Sequence, residues 1–563
     1  MTLVTRIPPV KYQPQDTTAV INFANDQARN VKDSAYGALG NDTGNDAPAI
    51  TAAANDTPAT RGGIVYLPPG DYRCVTAIVT PTDRQVRIVG AGPEATRIHV
   101  PNGTTATPGV IQLRGAEWRQ SVENLQITFD QPDTSNRALL THFVPAIYAQ
   151  AVSRFRVQHV RIVRCWDGID MRQNSNAEIN DLEISHFNNS IHIDGALDSS
   201  RIAHLHDWVF GCSANQIIAV GNPLNIGIKV GRCDGLHLSN SLFLCGQGVH
   251  TFPGVMVPGP GNVHMTNCQF DTWSGLRSDD GYVQISDSLF STRTAGGYQA
   301  ITMTPGGNGN SVMISNCQIL TDGGGLTPVQ VLGDTSGGFL HFNITDSVFY
   351  TAAANQSSII VDGSGGGILH ANIANNHFNR TGNVTYTAPT IGLGANVRAT
   401  IANNIATDKG TGGGDFIGVT NSFPVIDGNI TPGWGLSYVS PAQPLGGSNL
   451  GATITGSNRE LITALGFMQA SGLEALSSNN PPFAVRRYTG TLNGSGAAIF
   501  PHGLGAAFHQ TGLTIQGWYK VGAGTANPLT VVAADGTNIN VSGGLASAPY
   551  RVVVLYSSSP HVW

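Results

Sequence analysis

Charge is scarce in this chain. Asp, Glu, Lys and Arg make up 12% of its 563 residues, about half the usual share of roughly 25%. There is no run of Lys or Arg and the formal net charge is −6, which argues against nucleic acid and acidic membrane as partners. No apolar stretch approaches the ~20 residues of a membrane span. The opening MTLVTRIPPVKYQ lacks the apolar centre of a signal peptide, so none is expected. Cysteine is limited to seven residues without zinc-type spacing. A disulfide framework, a metal and any other cofactor are therefore not expected, and the cysteines read as small buried apolar residues. Tandem stretches of 10–15 residues at helical period are also missing, which excludes a helical solenoid.

What is present is Gly, at 69 residues, a polar uncharged surface, and a repeated phrase. VHMTNCQF (263–270), VQISDSLF (283–290), VMISNCQI (312–319) and FNITDSVF (342–349) each put Asn or Asp at one aligned place. That place falls at Asn240, Asn267, Asp287, Asn316, Asp346, Asn375, Asn403 and Asp427, with weaker copies at Asn124, His159, Asp181 and His204. Repeats of this period signal a solenoid. The apolar residues alternate with period 2, so the unit is strand. A second strand follows in each copy, as in DGIDMR, SIHIDG, QIIAVG, GVHTFP, GLRSDD and AITMTP. Two or three short strands per turn about one axis make a parallel β-helix of about twelve coils, an all-β fold. The aligned Asn or Asp suits a one-residue bend in the left-handed region, and stacked copies can bridge their amides. NDAPAITAAAND (45–56) predicts a short helix with Asp46 at its N-cap, lying across the first coil.

Residues 30–100 carry a resemblance. VKDSAYGALGNDTGNDAPAITAAA, then GGIVYLPPGDYRC and VRIVGAGPEATRI, resemble the opening module of the pectate-lyase-like right-handed parallel β-helix superfamily. Ala35-Tyr36 stand where that module has Phe, and Asn45-Asp46 where it has a second Asp pair. The resemblance implies the fold for roughly 30–430. Its members include polygalacturonases, polysaccharide lyases, epimerases and phage tailspike depolymerases. Towards the end, FAVRRYTGTLNGSGAAIFPHGLG and YRVVVLY resemble the terminal domain of some phage tail fibres and spikes. This implies a homotrimer assembled by a C-terminal antiparallel β domain. A monomeric sandwich or carbohydrate-binding module is the alternative.

The division expected is an N-terminal peg at 1–30, a cap and opening module at 31–110, a catalytic β-helix at 111–430, a linker with a short helix at 431–482, and the β domain at 483–563. The whole reads as a tailspike in the virion tail, docking on other tail proteins through its N-terminus. It would bind and depolymerise a bacterial surface polysaccharide by endo-cleavage, as a glycosidase in preference to a lyase. A free bacterial lyase or hydrolase and a non-catalytic adhesin are the other readings.

The candidate site comes from the second strands, where alternate residues face outward. These are Asp170 and Arg172, His192 and Asp194, Ile217 and Ala219, His250, then Arg277 and Asp279. Later copies carry Thr302, Gln330, Ile360 and Gly392, so charge gathers on one face of the earlier half. Stacking places Asp170 beside His192, and Arg172 beside Asp194, at about 5 Å. Glycoside hydrolysis needs two carboxyl groups, which Asp167, Asp170, Asp194 and Asp279 could supply. A lyase needs a base and a cation facing a uronate, for which Arg172, His192, His250 and Arg277 are candidates. CWDGIDM (165–171) resembles the NTDGID motif of polygalacturonases, and Asp167 matches their first catalytic Asp. The paired Asp and the Gly-His-Gly of that family are replaced by Asn188-Asn189 and Gly246-Gln247-Gly248. Trp166 and Trp273 are candidate sugar-stacking residues, with Trp208 and Tyr298 nearby.

Overall fold

The computed structural model describes residues 28–438 apart from short loop segments, and strands between Thr453 and Tyr556. Residues 1–27 of the expected N-terminal peg and the helix expected in 431–482 lie outside the described residues, while Ala28–Asn30 is already a coil strand.

The alternation seen in the sequence becomes a single 37-stranded sheet wound on itself, with every described pairing parallel. Three stacks of short strands run along it. One passes through Gly261–Thr266, Gly281–Ser286, Asn310–Ser315 and Leu340–Thr345. The second passes through Gln269–Thr272, Leu289–Thr292 and Gln318–Thr321. The third passes through Gln247–Thr251, Ser274–Ser278, Ile301–Met303 and Val329–Leu332. The N-terminal module is itself wound as coils, since Gly63–Leu67 pairs with Val86–Gly90 and that strand with Ser121–Phe129. Strands Gly435–Tyr438 and Thr453–Thr455 continue the stacks past residue 430. The coils are therefore more numerous than the twelve expected.

The bend between the first two stacks is made as the residue types require. Asn124, His159, Asp181, His204, Asn240, Asn267, Asp287, Asn316, Asp346, Asn375 and Asn403 all have φ between 51° and 58°. Amides bridge coils there: Asn267 Nδ2 donates to Asn240 Oδ1 at 2.7 Å, and Asn316 Nδ2 to Asp287 Oδ1 at 2.6 Å. One aligned position needs correction. Asp427 pairs with Ala402, not Asn403, so it stands one residue before the bend. The residue after each bend points inward, and in the last coils it is an asparagine that forms a second ladder the repeat did not reveal. Asn404 Oδ1 accepts from Asn376 N at 2.9 Å and Asn376 Nδ2 at 3.1 Å, and Asn429 Oδ1 does the same for Asn404, at 2.9 Å each. These amides satisfy backbone groups that water cannot reach.

Alternating apolar residues fill the interior. Phe243, Phe270 and Phe290 stack with centroids 5.0 and 4.6 Å apart and planes within 8°. The helix predicted near residue 45 is Ala47–Asn55. It buries Ala47, Ile50, Ala53 and Ala54 against strands Ala28–Asn30, Gly63–Leu67 and Ile78–Val79, closing the first coils. Asp46 occupies the N-cap but makes no side-chain cap bond. Its carboxylate instead accepts from Leu39 N at 2.7 Å and Gly40 N at 3.2 Å, tying down the preceding loop. The six described cysteines are buried. The C-terminal strands form a six-stranded antiparallel sheet, with Pro549–Tyr556 between Ala484–Thr491 and Thr514–Lys520.

Candidate functional site

The third stack carries the outward residues. Pairing aligns Tyr148, Asp170, His192, Lys229, His250 and Arg277 on six successive coils. Thr302, Gln330, Ile360 and Gly392 continue the line. The gathering of charge in the earlier half thus stands, but one coil was misassigned. Ile218 and Ala219 form a separate antiparallel hairpin with Asn222 and Pro223; Ile217 lies outside the described residues. The coil strand is Ile226–Val230, which puts Lys229 in the ladder. IGIKVG has the same alternation and closing Gly as SIHIDG, which is the signal that finds it.

The four carboxylates proposed for catalysis have different fates. Asp170 is buried and bidentate with Arg172, at 2.9 Å from Nε and 2.6 Å from Nη2. It stands beside His192 as expected. Asp194 has the outward parity but is not open to the face. It is 1% exposed, and it accepts Arg232 N at 3.2 Å on one oxygen and Val255 and Met256 N at 3.0 and 2.9 Å on the other. Arg172 pairs with Asp170 instead. A Cβ on Gly231 would come 2.4 Å from the Asp194 carboxylate, so that glycine leaves the carboxylate its space. Asp194 therefore clamps the loop after Thr251. Asp167 stands at the corner before the ladder, out of its alternation. Its Oδ1 accepts Asn188 Nδ2, Asn189 N and Asn189 Nδ2 at 2.8, 3.1 and 2.9 Å. The two asparagines that replace a paired Asp thus hold Asp167 in place. Asp279 is the most heavily partnered. His250 Nε2 lies 2.8 Å from Oδ2, Arg277 Nε is 2.9 Å from both oxygens, and Thr304 donates to Oδ1. Burial acts to raise the pKa of Asp279, but the hydrogen bonds from His250, Arg277 and Thr304 outweigh it and hold it at about 2.

Between these groups the face is different. Burial first, then Lys229, pushes His192 down to about 4, so its imidazole is neutral near pH 7. Burial, and next the Asp170 carboxylate, raises the Tyr148 phenol. The Lys229 ammonium lies 5.0 Å from the Phe252 ring centre and has no carboxylate partner among the described residues. Phe252 also stands 6.0 Å from both His192 and His250. It is an aromatic plate between three basic side chains, and composition gave no hint of it. The proposed aromatics sit elsewhere. Trp166 stacks on His142 at 3.7 Å with the Arg137 guanidinium 4.7 Å from its ring. Trp273 is half-buried at the corner before Ser274–Ser278. Trp208 stacks on His206 at 4.5 Å, in the second stack, and Tyr298 is buried.

Two grooves lie off this face. One, of about 740 Å³, follows the bend ladder past His204, Asn240, Asn267, Asp287 and Asn316. The other, about 610 Å³, lies along His341, His370 and Arg398. The first runs along the left-handed bends and is lined by amides together with His, Ser and Leu side chains. Chemistry concentrates on the third stack instead. A hydrolase needs one carboxyl with a raised pKa and one free carboxylate. Asp279 is shifted the opposite way, Asp194 is sealed and Asp170 is bidentate. A phenol, a neutral imidazole and an ammonium without a carboxylate partner among the described residues, within four successive coils, can instead bind an anionic sugar and move a proton.

Residues 28–218 match the family model described as rhamnogalacturonase A/epimerase, pectate lyase-like. That stretch is pectate-lyase-like. Two mannuronan C5-epimerases of Azotobacter vinelandii, AlgE6 and AlgE1, are 43% and 44% identical to the chain over 81 and 82 residues. The chain spans only 9% and 6% of their lengths, and the matches take up 13% and 14% of the chain. Among solved structures, the Pseudomonas phage phi297 tailspike gp61 is similar with a TM-score of 0.48 and 11% identity, over 94% of this chain and 98% of that one. The A-module of AlgE6 is similar with a TM-score of 0.38 and 17% identity, over 74% and 100%. Among the described residues no helix is long and apolar enough to cross a membrane.

Proposed function

We propose that the ladder from Tyr148 to Arg277 binds an acidic bacterial surface polysaccharide, and that the chain cleaves it internally by removing a proton beside a uronate carboxylate. The observation that carries this reading is Lys229. It is a cation without a carboxylate partner among the described residues, set in register between His192 and His250. Its charge would meet the uronate carboxylate, which acidifies the neighbouring C5 proton; neutral His192 would take that proton, and Tyr148 would return one to the leaving oxygen. Phe252 supplies a flat apolar contact for a ring. The family description, which names an epimerase, and the relatives named for C5 epimerisation of mannuronan support the same first step. The partnered state of Asp170, Asp194 and Asp279 weighs against the hydrolytic pair preferred from the sequence.

The setting proposed is a phage tailspike, trimeric through its C-terminal domain and attached to other tail proteins through its N-terminus. The fibre-like C-terminal sequence and its antiparallel sheet support this. The test is digestion of capsule, exopolysaccharide and lipopolysaccharide from candidate hosts, followed by the ultraviolet absorbance of unsaturated uronate, reducing ends and product masses. Unsaturated oligosaccharides are expected. Reducing ends without unsaturation would return the hydrolase, and altered C5 stereochemistry without cleavage would make it an epimerase. Binding without any product would leave an adhesin, the reading that the partnered carboxylates also fit. Sedimentation of the whole chain tests the trimer.

A further inference from the structure

Inside the coil lumen, remote from the outward ladder, three chemistry-bearing side chains meet. His186 belongs to strand Glu178–Ile193, Asp207 to the next coil's strand Ala196–Trp208, and Cys245 to the corner after Leu242–Leu244 one coil further. His186 and Asp207 are fully buried, and Cys245 is 1% exposed. Their ligand atoms all lie within 4.8 Å of one another. Asp207 aligns with Ile184 and Phe243, positions that face the apolar interior, so a carboxylate there opposes the pattern of the whole fold. A Cβ on Gly227 would come 2.7 Å from Asp207 Oδ2, so this glycine makes the room the carboxylate occupies.

The contacts within the cluster do not satisfy it. His186 Nε2 is 2.9 Å from Asp207 Oδ1, yet the approach lacks hydrogen-bond geometry, and among the described residues neither ring nitrogen nor either carboxylate oxygen meets full hydrogen-bond geometry; the Cys245 thiol, which lies against Asp207, donates to Gln247 O at 3.2 Å. An unpartnered buried carboxylate is costly. Two polar atoms this close and not aimed at each other suit a shared third atom. We propose that His186, Asp207 and Cys245 bind a divalent transition-metal ion that ties three successive coils together, with zinc the best match. Zinc accepts nitrogen, oxygen and sulfur ligands in a four-coordinate set, which one imidazole nitrogen, one thiolate and both oxygens of Asp207 would complete. A thiolate and a carboxylate would offset its two charges, leaving the lumen neutral. The tetrahedron edge for ~2.1 Å bonds is roughly 3.4 Å, so side chains this close need shift little to reach it. Because the ligands are sealed, the ion would enter as the coils close, and binding energy would be folding energy. This inference is independent of what the outer face binds.

The test uses the full chain refolded with excess Zn²⁺, with excess Co²⁺ or with chelator, then dialysed. About one equivalent of metal per chain should be retained, and the Co²⁺ form should show thiolate-to-cobalt absorption of a four-coordinate site. Cys245→Ser should abolish that thiolate band, and Asp207→Asn should lower metal content at least about tenfold. Metal-free refolding should yield a protein of lower melting temperature. Absence of retained metal under every condition would overturn the proposal and leave a buried His–Asp pair. So would retention of a full equivalent by a Cys245→Ser, Asp207→Asn double variant. Should the variants fail to fold, the spectrum and metal content of the unsubstituted protein decide.

Discussion

His250 Nε2 lies 2.8 Å from Asp279 Oδ2, across two adjacent coils. The same carboxylate takes Arg277 and Thr304, which makes it a brace between coils rather than a free acid. Burial works to raise its pKa, and the three donors hold it at about 2. A depressed carboxylate stabilises the fold fully above its unfolded value near ~3.9, and that contribution is lost as pH falls towards 2. Asp279→Asn should cost on the order of 1–2 kcal/mol at pH 7, discounted for partial exposure. The gap between variant and parent in urea unfolding should close near pH 2. An equal gap at pH 7 and pH 2 would remove this role.

His192 is linked to pH in the same direction but over a higher range. Burial, then Lys229, pushes it down to about 4, against roughly 6.5 when unfolded. The fold holds it neutral, so stability should decline as pH falls from about 6.5 to about 4, by on the order of 2 kcal/mol. His192→Gln should flatten that decline in unfolding measured across this range. If His192 is the base, the same variant should lower turnover by about 10²–10⁴. A parent rate that stays flat down to pH 5 fits a base already deprotonated there.

Lys229→Met keeps an unbranched apolar side chain and removes the ammonium that stands over Phe252. KM or Kd for an acidic polymer should rise about fivefold or more at low salt, the value of roughly 1 kcal/mol. The effect should shrink in high salt as screening rises. A neutral polysaccharide bound unchanged by both proteins would confirm that the charge is the reader.

Asp194→Asn separates clamp from catalyst. Its carboxylate accepts three backbone N–H groups and ties down residues 255 and 256. The substitution should lower unfolding stability by about 2–3 kcal/mol, as expected for charge-assisted bonds in a buried site. Gly231→Ala, whose Cβ would press on the same carboxylate, should mimic it. Equal stability with lost turnover would instead return Asp194 to the catalytic set.

Asn404 accepts from Asn376 and donates to Ile373 O at 2.9 Å. Asn404→Ala strips partners from several buried groups at once. A loss of about 3 kcal/mol is expected in denaturant unfolding, far more than for the exposed bend residue Asn316→Ala.

Much of this molecule was legible before any fold was seen. Alternation at period 2 sorted inward from outward residues, and Asn or Asp at most bends, with His at two, anticipated left-handed backbone from Asn124 to Asn403. Both are local properties: a strand's side chains alternate by geometry, and a positive φ selects its residue types. Tertiary structure decided what local pattern cannot carry. QIIAVG and IGIKVG alternate equally well, and only pairing with Ile191–Ile193 chose the second, bringing Lys229 into the face. Asp194 has the outward parity, yet the loop after Thr251 folds over it and buries it. His186, Asp207 and Cys245 are far apart along the chain and share no spacing motif. The axial rise of one coil, about 4.8 Å, brings them together, because stacking turns residues a full coil apart in sequence into neighbours in space.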